Sequence, residues 1–316
     1  MSLRDRLPPT PRSVLRAVAV AAVVAQAGIA VTGSVVRVTG SGLGCPTWPE
    51  CFPGSMVPTP HPEVEALTQW IEFGNRLLTG VVVLVAAACV VAAWGYRPRN
   101  DRIVRLAWLQ PIGVLTQAVV GGFVVRSQLV WWSVGLHFLI SVVFVWLAVQ
   151  LVCAVDDGDG PAVPVVPRAV RGLVATASGV LGLLVMAGTL VTAAGPHSGD
   201  ADTPRLALGV PATAQLHADL VFAYLGLLVG LGFALRAVGV SAPLWRRYLV
   251  LAATVLAQGA LGGVQYALGV PEVLVALHVL GSMLVVMAAS AVWAGTSERL
   301  RSADRVPDAG SRRVEA

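Results

Sequence analysis

Eight apolar stretches constrain this chain more than any other feature, because each is long enough to cross a bilayer as a helix. They run roughly 14 to 36, 70 to 94, 104 to 125, 131 to 153, 169 to 193, 211 to 235, 248 to 267 and 272 to 295. A spanning helix needs about 20 mostly apolar residues, and in lipid only a helix or a closed barrel satisfies its own backbone groups. With 56% hydrophobic and 12% charged residues, the composition lies outside the range of a soluble domain. The expected fold is therefore an all-α integral membrane protein. The first stretch could be read as a secretory signal, since Ala25-Gln26-Ala27 resembles a small-residue cleavage site. Its apolar run is longer than a signal core, and it has a counterpart later in the chain, so it is read as a retained helix.

The basic residues set the expected orientation. All 22 are arginine, and only Arg37, Arg76, Arg126 and Arg205 fall at or beyond the outer ends when the N-terminus is inside, leaving 18 of the 22 on the cytoplasmic side. This predicts a multi-pass plasma-membrane protein with both termini cytoplasmic. The clusters "YRPRNDRIVR" and Arg246-Arg247 are then topology and lipid-headgroup signals. No nucleic-acid signature is present.

An internal repeat gives the architecture. "LTQAVVGGFVVRSQLVWWSVGLH" and "LAQGALGGVQYALGVPEVLVALH" share Leu-x-Gln, a Gly-Gly pair and a terminal Leu-His, with Gln117 and His137 as far apart as Gln258 and His278. Spans three and four thus correspond to spans seven and eight. "TGSVVRVTGSG" at the end of span one has a weaker echo in "AGTLVTAAGPH" at the end of span five. An even number of helices per copy gives both copies the same orientation, so the prediction is two tandem four-helix bundles. The expected units are 1–155, a linker 156–168 read from the acidic, Gly- and Pro-rich "AVDDGDGPAVPVVP", 169–296, and a disordered cytoplasmic tail 297–316.

Three of the five histidines, His137, His217 and His278, lie within spans, each about 9 Å below the outer surface at 1.5 Å per residue. A single membrane histidine is most often an interhelical hydrogen-bonding group. Three at one depth in a duplicated chain point elsewhere. His217 and His278 enter from the same side in spans six and eight, and two opposed neutral imidazoles among apolar neighbours suit a haem iron. Zinc or copper is less natural without nearby carboxylate or thiolate ligands; Asp219 keeps that chemistry open. The glycine pairs Gly121-Gly122 and Gly262-Gly263 let backbones approach each other or a flat ring closely, with plain helix packing the expected cause.

The first unit repeats the arrangement incompletely. His137 takes the place of His278, but the place of His217 falls near Asn75 in "WIEFGNRLLTG". Glu72 lies one turn before Asn75 on the same face. Beside a half-filled site it is a candidate acid or base, the alternative being an interfacial carboxylate. In the outer loop "GSGLGCPTWPECFPG", Cys45 and Cys51 face an oxidising compartment, and a disulfide is expected. The spacing is not Cys-x-x-Cys, which favours a staple over an exchanging thiol pair. Cys89 and Cys153 read as small apolar fillers.

"TGSGLGCPTWPEC", the "IEFGNR" start of span two and the three span histidines in a duplicated eight-helix chain resemble haem A synthase of the bacterial CtaA type, over nearly the whole sequence. The resemblance implies oxidation of a ring methyl of haem O to a formyl group, giving the haem A of cytochrome oxidase. It implies a resident haem b on His217 and His278, haem O in the first half, and Glu72 as the essential carboxylate. His137, Asn75, Arg76 and Arg37 become the candidates for contact with the substrate haem. It further implies a haem O synthase as supplier and an electron-transfer partner of unknown identity. Many members carry Glu-x-x-His-Arg where this chain has Glu72-Phe73-Gly74-Asn75-Arg76, leaving His137 as the sole imidazole there. The loop "TAAGPHSGDADTP" after span five also lacks cysteines. Two rival readings are a di-haem cytochrome b that only carries electrons and a haem carrier across the membrane.

Overall fold

A computed structural model describes residues 8–299. Among these residues, eight helices are long and apolar enough to cross a membrane: α1 Arg12–Val38, α2 Ala66–Gly95, α3 Asp101–Arg126, α4 Trp131–Asp156, α5 Arg168–Ala194, α6 Val210–Ala237, α7 Ala242–Ala267 and α8 Glu272–Ala294. The chain is a multi-pass membrane protein. Helix boundaries follow local chemistry. The Asn100 side chain caps α3 by accepting from the backbone N–H groups of Arg102 and Ile103, at 3.0 and 3.3 Å, ahead of the acidic Asp101. Proline at the first positions of α6 and α7 takes the place of N–H groups that would have no partner.

The first four helices close a ring in which α1 packs on α2 and α4, and α3 packs on α2 and α4; α5 to α8 repeat the ring more loosely. The turns joining α3 to α4 and α7 to α8 are also copies of each other. Gln128 and Leu129 adopt φ of 53° and 56°, and the matching Gly269 and Val270 adopt 76° and 64°. In both turns the last amide closes back on the helix, Leu129 N–H to the Val124 carbonyl and Val270 N–H to that of Gln265.

The two units meet where α4 lies on α8, flanked by α1 on α8 and α5 on α4. Since α1 corresponds to α5 and α4 to α8, the flanking contacts are equivalents, as expected of a two-fold-like interface. Its centre is polar. The Gln150 amide donates to the Ser290 hydroxyl at 2.9 Å, and Ser290 donates to the Trp146 carbonyl at 3.0 Å. Around it the core of the second unit, including Leu181, Leu231, Met283 and Val286, continues into Ala27 and Val145 of the first.

At the end of the bundle carrying the chain termini, Arg12 and Arg16 pair with Asp156, and Arg102 pairs with Asp157 at 2.8 Å. Here the structure corrects one expectation. Residues Ser297–Arg299, read from sequence as the start of the tail, form a strand (β2) antiparallel to a strand (β1) at Ala162–Pro164 in the linker. Proline fixes an extended backbone in the linker, and the neighbouring amides of Gly158 and Val165 find carbonyls at Arg299 and Thr296. The rest of the expected tail lies outside the described residues.

Candidate functional site

His217 on α6 and His278 on α8 face one another with ring centres 6.4 Å apart and planes at 63°. A metal–imidazole bond of about 2.1 Å plus roughly 1.1 Å from ring nitrogen to ring centre, doubled across one ion, separates two opposed rings by about 6.4 Å. The spacing therefore fits one iron held between them. His217 Nδ1 lies 3.1 Å from the Leu184 carbonyl of α5, a contact that fixes the proton on that nitrogen and leaves Nε2 with a bare lone pair. His278 Nδ1 is buried with no partner among the described residues, while Gln258 of α7 donates its amide to the His278 backbone carbonyl at 2.8 Å. Among the described residues no cluster of three or more His, Cys, Asp or Glu forms a metal site, so the arrangement is a two-imidazole one.

The first unit has the same framework with one ring replaced. His137 Nδ1 is buried with no partner among the described residues, as at His278. Gln117 donates its amide to the Ser141 hydroxyl and, at 3.4 Å, to the His137 carbonyl. Asn75 on α2 occupies the position of His217. Its carbonyl accepts the Thr32 hydroxyl of α1 at 2.7 Å, which anchors the amide against α1.

Glycines set how close each ring comes to the neighbouring helix. A Cβ at Gly262 would lie 3.0 Å from His278 Cε1, and one at Gly188 would lie 3.2 Å from His217 Cε1. One at Gly121 would lie 3.4 Å from His137 Cε1, and one at Gly33 would lie 3.9 Å from Asn75 Nδ2. All four candidate groups therefore sit on a glycine of an adjacent helix, and Gly33 and Gly188 are the matched positions in the weak echo between spans one and five. This revises the helix-packing reading of the Gly-Gly pairs. Gly121 and Gly262 admit rings, and Gly122 admits the Trp48 indole from the disulfide loop.

Above the first unit, Cys45 and Cys51 form the expected disulfide, with Cα atoms 4.3 Å apart. Glu72 is 5% exposed and bound to this loop. Its Oε2 accepts the Cys45 N–H at 2.7 Å, and its Oε1 accepts Arg76 Nη2 at 2.5 Å. Arg76 also donates to the carbonyls of Cys45, Thr47 and Glu50. Both carboxylate oxygens are engaged, and the Glu72–Arg76 pair clamps the loop over the mouth of the bundle. The Trp48 carbonyl accepts from Arg126 at 3.4 Å, and the Gly42 N–H reaches the Gly199 carbonyl of the α5–α6 loop.

Arg37 lies apart from this clamp. It crosses to the second unit, donating to the His197 carbonyl at 3.0 Å. His197 Nε2 in turn lies 2.8 Å from the Val270 carbonyl. The structure thus joins His217 with His278, and Glu72 and Arg76 with Cys45 and Cys51, and places Arg37 at the seam between units. Thr32 and Leu184 were not singled out from sequence, Arg205 was read only for topology, and Trp48 only as part of the outer-loop motif. For Thr32 the signal was its place beside Gly33 in the echo; for Leu184 no local pattern marks it.

A model of the COX15-CtaA family, described as Cytochrome oxidase assembly protein, matches residues 16–197. That stretch contains Cys45, Cys51, Glu72, Asn75, Arg76 and His137, and stops short of His217 and His278. Among curated relatives, Heme A synthase of Geobacillus thermodenitrificans is 33% identical over 134 residues, 42% of this chain and 40% of the relative. Heme A synthase of Lysinibacillus sphaericus is 35% identical over 147 residues, 44% of this chain and 45% of the relative. The chain spans about half the length of the curated relatives it matches. A family match over more than half of the chain, together with the duplicated imidazole sites, gives the conclusion that this protein belongs to the COX15-CtaA family of cytochrome oxidase assembly proteins.

Proposed function

We propose that the chain is a membrane haem A synthase, an oxidoreductase that converts a ring methyl of haem O to a formyl group. The carrying observation is a pair of corresponding sites, two imidazoles with ring centres 6.4 Å apart in one unit and, in the other, a single imidazole with an asparagine at the position of the second ring. The relatives named Heme A synthase support the same reading.

His217 and His278 hold a resident haem b, with the Leu184 carbonyl fixing the tautomer of His217. When bound, such a group supplies one-electron transfer to the neighbouring unit. His137 binds the substrate haem alone, and Asn75, anchored by Thr32, leaves the opposite face open. The loop stapled by Cys45–Cys51 covers that site, holding water out and the substrate in. Because Glu72 has both oxygens engaged by the Cys45 amide and Arg76, it acts as a positioning residue that holds this cover closed. Arg37 and Arg205 supply positive charge at the seam where the two sites approach, suited to haem carboxylates.

The arginine distribution supports an orientation with both termini on the cytoplasmic side and the disulfide loop outside. A haem O synthase is the expected supplier, and an electron-transfer partner completes the reaction. The test is identification by mass of haems extracted from cells that make haem O, with and without this chain. Haem A appearing only with the chain is the expected result. Unchanged haem O contradicts the proposal, whether the chain is then an electron carrier or a haem carrier.

A further inference from the structure

At the end of the second unit opposite the imidazoles, an open groove of about 370 Å³ runs between α7 and α8, lined by Pro243, Arg246, Arg247, Val250, Ala288 and Ala291. Its walls are apolar and its rim carries two cations. Arg247 donates to the Ala291 carbonyl at 3.1 Å. Arg246 has no hydrogen bond, ion pair or ring contact among the described residues. Of the other arginines at this end, Arg236 lies 5.3 Å from the centre of the Trp245 ring, Arg171 lies 5.2 Å from that of Trp293, and Arg299 donates to the Gly160 carbonyl. The repeat register that matches His137 with His278 puts Leu147 and Gln150 at the positions of Ala288 and Ala291. The second copy therefore has small side chains where the first has larger ones.

The arginines lie within the first two turns of α7, about 6 to 8 Å along the helix, where a spanning helix meets the headgroups. An arginine that merely snorkels to the headgroup layer needs no slot beside it. A free phosphate would satisfy the guanidinium groups and leave the exposed Val250 uncovered. An anionic phospholipid matches both parts, with phosphate on the planar donors and an acyl chain in the slot.

We propose that this groove binds one anionic phospholipid, its phosphate against Arg246 and Arg247 and an acyl chain along Val250 and Ala288. The full chain is purified, and bound lipid is measured by native mass spectrometry. Thermal stability is followed with added phosphatidylglycerol, phosphatidylcholine or inorganic phosphate. Phosphatidylglycerol is expected to remain bound and to stabilise the protein; phosphatidylcholine is not. Arg246→Gln should weaken phosphatidylglycerol binding about fivefold, the share of one arginine near a charged headgroup. Ala288→Leu keeps both charges and fills the slot, and it should abolish retention. Retention of both lipids alike, or full retention by Ala288→Leu, overturns the groove. Stabilisation by inorganic phosphate equal to that by phosphatidylglycerol overturns the lipid. Arg247→Gln also removes the bond to Ala291 and can unfold the protein, so Arg246→Gln and Ala288→Leu carry the test.

Discussion

Substituting alanine for each of the four glycines behind the candidate ligands should damage haem binding in a graded order set by distance. Ordinary contact with a Cβ begins near 3.4 Å. Against Gly262→Ala the His278 ring must retreat from 3.0 to 3.4 Å, a shift of 0.4 Å, and against Gly188→Ala the His217 ring must retreat from 3.2 Å by half as much. Gly121→Ala already meets the threshold at 3.4 Å, and Gly33→Ala has space to spare at 3.9 Å. Metal–ligand distances tolerate about ±0.2 Å. The expected order of harm is thus Gly262 first with loss of the low-spin haem, Gly188 next with weakened retention, then Gly121, with Gly33 near neutral. Overpacking of this kind also costs about 1 to 3 kcal/mol of stability at the first two positions. The assay is haem retained per protein through purification, read with reduced-minus-oxidised spectra, alongside thermal unfolding to separate ligand displacement from misfolding. If Gly188→Ala loses the resident haem while Gly262→Ala keeps it, the rings do not sit where this reasoning requires.

Asn75→His should give the substrate haem a second imidazole and convert it to a six-coordinate, low-spin form. An unchanged spectrum with haem O bound would show that Asn75 does not face the iron. Glu72→Gln replaces one of the two acceptor oxygens with an N–H donor, costing about 1.5 to 3 kcal/mol of charged hydrogen bonding at the loop. It should stop conversion of haem O, expose residues 39–65 to protease, and leave the resident haem spectrum in place; normal haem A yield would refute the clamp. The Cys45→Ser, Cys51→Ser pair should lower stability by about 2 kcal/mol in thermal unfolding while retaining the resident haem and some product. Complete loss of product with folding intact would point to an obligatory thiol step.

Much of this was legible from residues alone because membrane solvent leaves few choices. Apolar runs give the spans within a few residues, although α7 begins at Ala242 and not near 248, since Arg246 and Arg247 interrupt the hydropathy without interrupting the helix. The match of Gln117–His137 with Gln258–His278 identifies the duplication and hence three imidazoles at one depth. The partner of each side chain was not legible. Glu72 reads as a carboxylate beside a half-empty site, yet its oxygens are taken by a loop amide 27 residues away and by Arg76 one turn on. Arg37 reads as a neighbour of the first site and reaches the second unit. Both depend on how the outer loops fold over the bundle, which hydropathy does not encode. The Gly-Gly pairs were visible, but helix packing and ring admission share one sequence signature, and only the position of the rings separates them.

The central claim is that the two imidazole sites have different tasks, with the pair in the second unit holding a permanent haem. Reduced-minus-oxidised spectra of purified His217→Ala, His278→Ala and His137→Ala test it most directly. The account predicts that the low-spin haem b signal disappears in the first two variants and survives in His137→Ala, which loses affinity for haem O. An unaltered low-spin signal in His217→Ala, with the protein folded, would contradict it.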